Sequence, residues 1–181
     1  MLPLLISLTA VCFDGAPVWR GLCVRPEPAQ RVGYVRADTA DAEAELIRRL
    51  PPGMVRDHAG GVVSVVTPFS CMSFLVDPET GKAATDVDHV VALAEAHDSG
   101  LAPSLRHAFA NDLRNQTVAV PAVNRYQKGD RDAAEWEPLR NAGWFAARTV
   151  EVKRAYGLSV DPAERDALEA LLTGNPALDC P

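Results

Sequence analysis

The 181-residue chain is 48 % hydrophobic and 23 % charged, which fits one globular domain and excludes a disordered or fibrous chain. At this length a core can form without a structural metal or disulfides. The net charge of −6 excludes a uniformly basic nucleic-acid coat, but the charge is uneven: residues 1–103 carry 8 basic and 13 acidic residues, 104–156 carry 9 and 6, and 157–181 carry 1 and 5.

In chain order, residues 1–12 are apolar and end in small residues. They fit the end of a secretory signal cleaved near Ala10, or an apolar strand, and are too short to span a membrane as a helix. Residues 13–59 read as an irregular N-terminal extension with one helix. Asp38 or Thr39 caps that helix, which runs to about Leu50 and is ended by Pro51-Pro52-Gly53. Strands follow over Val62–Thr67 and Cys71–Val76, then a turn at Asp77-Pro78-Glu79-Thr80-Gly81 and an extended piece over Thr85–Val91. Short helices are expected over Ala92–His97 and from Ser104 to about Asp112, and a short strand over Asn115–Val120. Pro121 opens a helix carrying Asn124 and Lys128. Helical periodicity covers 138–156, and Asp161-Pro162-Ala163-Glu164 resembles a capping box that opens a helix to about Leu172. Cys12, Cys23, Cys71 and Cys180 are too scattered for a zinc ribbon and fit one or two disulfides in an oxidising compartment, with Cys180 placed to hold the C-terminal tail.

The chemistry-bearing residues are Asp88-His89, Asn115 and Asn124, followed by Lys128-Gly129-Asp130. The stretches TDVDHVVALAEAHDSG, FANDLRNQTVAVPAVNRYQKGDRDAAEW and WFAARTVEVKRAYGLSVDPAERDAL, from about Gly60 to Leu172, resemble the HNH endonuclease family. That family belongs to the His-Me finger, or ββα-metal, nucleases, and the resemblance is to an exported bacterial subgroup. It implies an α+β fold: a ββα-metal core surrounded by several helices, as a nuclease domain over 60–173 with a tail at 174–181. It also implies Asp88 as a metal ligand, His89 as the general base, Asn115 as the residue orienting that histidine, and Asn124 as a second ligand on the helix. The expected cofactor is a divalent metal ion, Mg2+ with Mn2+ as the alternative. The expected partner is DNA, with RNA as the alternative, cut with little sequence preference outside the cytoplasm, in the periplasm or secreted. The oligomeric state is left open.

Elementary chemistry asks for the same residue types. Phosphodiester hydrolysis needs a base that is neutral near pH 7 and hard oxygen ligands for a charge-neutralising cation. Neighbours on a strand point to opposite faces, so Asp88 and His89 can share a site only if the strand ends or bends there. Arg114, Arg125, Lys128 and Arg131 are candidate phosphate contacts. The chain departs from the family's Asn-x-x-Lys-Gly by one additional residue between Asn124 and Lys128, and it lacks zinc-knuckle cysteines. Glu95 is expected at the solvent surface, His58 in a loop, His97 and His107 on helices, and Trp136 and Trp144 in the core. The alternatives to a nuclease are an inactive metal- or nucleic-acid-binding module on the same fold and a nuclease toxin.

Overall fold

A computed structural model describes residues 12–180. The segment read as a signal remnant therefore lies outside the described residues, apart from Cys12. β1 (Val18–Trp19) and β2 (Leu22–Val24) form a hairpin whose two turn residues, Arg20 and Gly21, both take positive φ (47° and 82°). This is the turn that matches strand twist. Arg20 is held there by Glu169, which also accepts from Trp19 Nε1 at 2.8 Å.

The first helix, α1 (Glu43–Arg49), starts later than the sequence suggests and has no side-chain cap. The expected capping region is engaged elsewhere: Asn111 bonds the Asp38 carbonyl and the Ala40 amide. Next come β3 (Val55–Asp57), β4 (Val63–Val66) and β5 (Ser73–Leu75), an antiparallel sheet on which α1 packs through Leu46 and Ile47. The Asp77 turn forms as expected, its carboxylate accepting from the Glu79 and Thr80 amides.

β6 (Asp86–His89) then leads into α2 (Leu93–Asp98) and α3 (Arg106–Ala110). The chain returns as β7 (Gln116–Ala119), antiparallel to β6 with Asp88 opposite Thr117 and His89 opposite Gln116. Directly after β7 comes a helical segment whose Val123–Lys128 part is π-type, with the Gly129 amide bonding the Asn124 carbonyl five residues back at 3.0 Å. The chain ends with α4 (Ala142–Tyr156), β8 (Ser159–Val160) and α5 (Pro162–Leu171). The fold is α+β, with three small sheets and several helices.

The extension is woven into the rest. β2 pairs in parallel with β8, and β3 pairs with β4, so the boundary expected at residue 60 crosses a sheet. Phe69 sits at the centre of the largest apolar cluster, edge-on to Trp136 and Phe145 at 5.3 and 5.9 Å; Trp136 and Trp144 pack on this core as expected. All four cysteines pair, Cys12 with Cys23 and Cys71 with Cys180. Asn141 reinforces the second link, donating to the Pro68 carbonyl and accepting from the Asp179 amide. Among the described residues no helix is long and apolar enough to cross a membrane.

Candidate active site

β6 ends at His89, and Asn115 fixes the backbone just beyond it. Fully buried before the start of β7, its Oδ1 accepts from the Val91 amide (2.8 Å) and its Nδ2 donates to the Val91 carbonyl (3.1 Å). Its own carbonyl accepts from the Val90 amide at 2.7 Å. Asn115 thus acts on the backbone two residues beyond His89 and makes no hydrogen bond to the ring itself.

The ring is oriented by α3. His89 Nε2 lies 2.8 Å from the Ala110 carbonyl oxygen, which Gln116 Nε2 also donates to at 2.7 Å. A carbonyl only accepts, so Nε2 carries the proton and Nδ1 presents its lone pair. Burial holds the imidazole pKa below its usual 6.5; the Ala110 contact and Asp88 oppose this, while Lys128 and Arg36 add to it. The ring is therefore neutral and basic near pH 7.

Asp88 is buried, with Oδ1 3.4 Å from Lys128 Nζ and Oδ2 without a hydrogen-bond partner. Lys128, a candidate phosphate contact from its place in the sequence, is not at the surface. It is fully buried, donates to the His89 carbonyl at 2.6 Å, and lies behind the acid as its counter-charge. Asn124 Nδ2 donates to Asp86 at 3.1 Å, and Arg125 holds the same carboxylate through two bonds of 2.7 and 2.6 Å. That ion pair keeps the Asp86 carboxyl below its ordinary range.

Asp88, His89, Asn124 and Arg125 share a cavity of about 480 Å³. The orphaned Asp88 oxygen and the Asn124 amide oxygen are hard donors of the kind a divalent cation takes, and both residues line this cavity. The other wall comes from the extension: Arg31, Tyr34 and Arg36. No sequence signal marks these three, because they lie in an irregular stretch and reach the site only through long-range packing. Two further phosphate candidates lie elsewhere. Arg114 pairs with Asp112 and lines a separate cavity with Arg49, Arg148 and Trp144. Arg131 turns its guanidinium onto the Gln127 carbonyl.

A second ionic cluster lies behind α2. Glu95, expected at the surface, is buried; Lys153, also buried, donates to it at 2.6 Å and pairs with Glu164. Burial pushes the Glu164 carboxyl up to about 8 and Asp132 up to about 6. Carboxylates of Asp132, Asp161 and Glu164 come within 4.8 Å of one another, as do those of Glu27, Glu95 and Asp132.

No family model matches the chain, and no solved structure does. It is 39 % identical over 169 residues to a protein of the fungus Arthroderma benhamiae described as an "uncharacterized secreted protein", covering 84 % of this chain and 80 % of that one. The chain belongs to the same family as that protein. The relative is fungal, so the comparison gives no support to a bacterial source, whereas its secretion and the two disulfides here agree with an extracellular protein.

Proposed function

We propose that this chain is an extracellular, divalent-metal-dependent nuclease that hydrolyses phosphodiester bonds, with His89 as general base. The observation that carries this reading is the convergence, on one cavity, of a neutral histidine held through Nε2 and a buried carboxylate oxygen without a partner. The order β6, β7, helix, with His89 ending the first strand and Asn124 on the helix, is compatible with a ββα-metal core. The additional residue before Lys128 is also accommodated. A π-type turn takes up one residue more than an α-turn, so Asn124 still lines the cavity while Lys128 still reaches back to Asp88.

In this reading His89 Nδ1 takes the proton from the attacking water, and the Ala110 carbonyl stabilises the imidazolium that forms. Asp88 and Asn124 would hold the metal ion, which when bound neutralises charge on the phosphate and the leaving oxygen. Asn115 keeps the His89 backbone in place, and Asp86 restrains the amide of Asn124. DNA is the expected substrate and RNA the alternative; among the described residues no element dedicated to base reading stands out, so contacts should fall mainly on sugar and phosphate.

The test is nicking of supercoiled plasmid by disulfide-intact protein across a Mg2+ and Mn2+ series. Nicking should vanish in EDTA and fall by roughly 100-fold or more in His89→Ala. Equal nicking by His89→Ala would overturn the base assignment. A protein that binds the plasmid but never nicks it with either ion would be a binding module instead.

A further inference from the structure

We propose that residues 31–36 form a rigid strap presenting Arg36 to the phosphate backbone of a nucleic acid strand bound in the cavity. This deepens the nuclease reading and rests on it.

Three arginines line the cavity, and two already have partners. Arg125 is held by both oxygens of Asp86. Arg31 bridges Asp98 at 2.6 Å and Asp130 at 2.5 Å. Arg36 is exposed and, among the described residues, has no ion pair or hydrogen bond to its guanidinium. Its charge is the one on this wall left for a ligand, and a guanidinium matches phosphate through paired hydrogen bonds.

Arg36 is free at its tip while the backbone beside it is fixed on both sides. Upstream, Arg31 is anchored twice, and His97 Nε2 lies 3.0 Å from the Val32 carbonyl. Arg106 donates to the Gly33 carbonyl and to His97 Nδ1, so His97 Nε2 carries the proton that Val32 accepts. The Tyr34 ring packs on His97 at 5.6 Å between centroids. Downstream, the Asn111 side chain holds the Asp38 carbonyl and the Ala40 amide at 3.1 and 2.7 Å. A charged side chain projecting from a segment pinned at both ends loses little ordering entropy when it engages a ligand. Arg36 lines the same cavity as Asp88 and His89, so a strand bound over His89 comes within reach of its guanidinium.

The test measures binding of a labelled DNA duplex by the full chain over a salt series in EDTA, where cleavage is silent, alongside plasmid nicking in Mg2+. Arg36→Ala should bind roughly tenfold more weakly and show a log–log salt slope shallower by about 0.9, one phosphate contact. Arg36→Lys should keep the slope and lose part of the affinity, and Arg48→Ala, outside the cavity, should match the parent. Arg36→Ala melting at the parent's temperature rules out a folding defect. If parent and Arg36→Ala share affinity and slope while nicking still depends on His89, the strap proposal falls and the nuclease reading stands. If the parent nicks nothing but Arg36→Ala still loses binding, the strap stands on a non-cutting module. If the parent neither binds nor nicks, both fall.

Discussion

Each polar residue at the centre of the site has a defined partner, and removing one has a defined cost. Asn115→Ala would leave both the amide and the carbonyl of Val91 without partners inside the protein. At about 1–3 kcal/mol for each buried unsatisfied group, the variant should lose at least ~2 kcal/mol in a urea melt. Lys128→Met would leave Asp88 buried without its counter-charge, so stability should drop by about 3 kcal/mol or more, while the isosteric double change with Asp88→Asn should recover part of it. Asp88, His89, Asn115 and Asn124 could be picked out as candidates through the resemblance of their stretches to the HNH family, and the structure brings Asp88, His89 and Asn124 to one cavity. Lys128 and Glu95 could not. A charged residue on a short helix is read as solvated, and only tertiary packing turns these two inward onto Asp88 and Lys153.

Among the elements, most boundaries follow the turn chemistry, and the departures trace to side chains engaged by distant partners. α1 starts late because Asn111 occupies the backbone that would have capped it. The capping box at α5 is half formed. Asp161 accepts from the Ala163 and Glu164 amides, but Glu164 turns inward to Lys153 instead of bonding back. Asp161→Ala should therefore cost about 1 kcal/mol, the value of a single N-cap, measured by thermal or urea melting. The π-type turn before Gly129 was not legible either, because one residue in excess leaves the hydrophobic period unchanged over so short a helix.

For the molecule as a whole, the cluster around Lys153 predicts a pH dependence. Glu164 titrates near 8 in the folded protein and near 4.5 when unfolded, so the folded state holds the additional proton between those values. Stability from this group is complete below about pH 4.5 and is lost as pH rises through 8. Glu27 and Asp132, raised to about 7 and about 6, act in the same direction. His89, lowered from 6.5, opposes them only on the acid side of that value. Melting temperature should thus fall from pH 6.5 to 8.5, and Glu164→Gln should flatten the decline; an equal slope in the variant would exclude this origin. The Cys71–Cys180 link spans 109 residues, so in the chain-entropy view its loss in Cys180→Ser should cost about 4–5 kcal/mol in denaturant. The presence of disulfides was legible in the sequence; their pairing was not, because spacing alone does not bring Cys12 to Cys23.

The parallel pairing of β2 with β8 also bears on how the chain is made. β1 covers one side of β2, and on the other side Cys23 and Val24 find their partners in Ser159 and Val160. During synthesis from the N-terminus, that sheet stays open until almost the whole sequence has emerged. Such a long-range pairing slows folding and makes its last step post-translational. The strap beside β2 likewise waits for Asp98, Asn111 and Asp130 before it can dock. A truncated chain that stops before residue 159 should therefore carry Asp88, His89 and every anchor of the strap yet leave β2 paired on one side alone, which makes the closing of that sheet, not the docking of the strap, the last step in completing the fold.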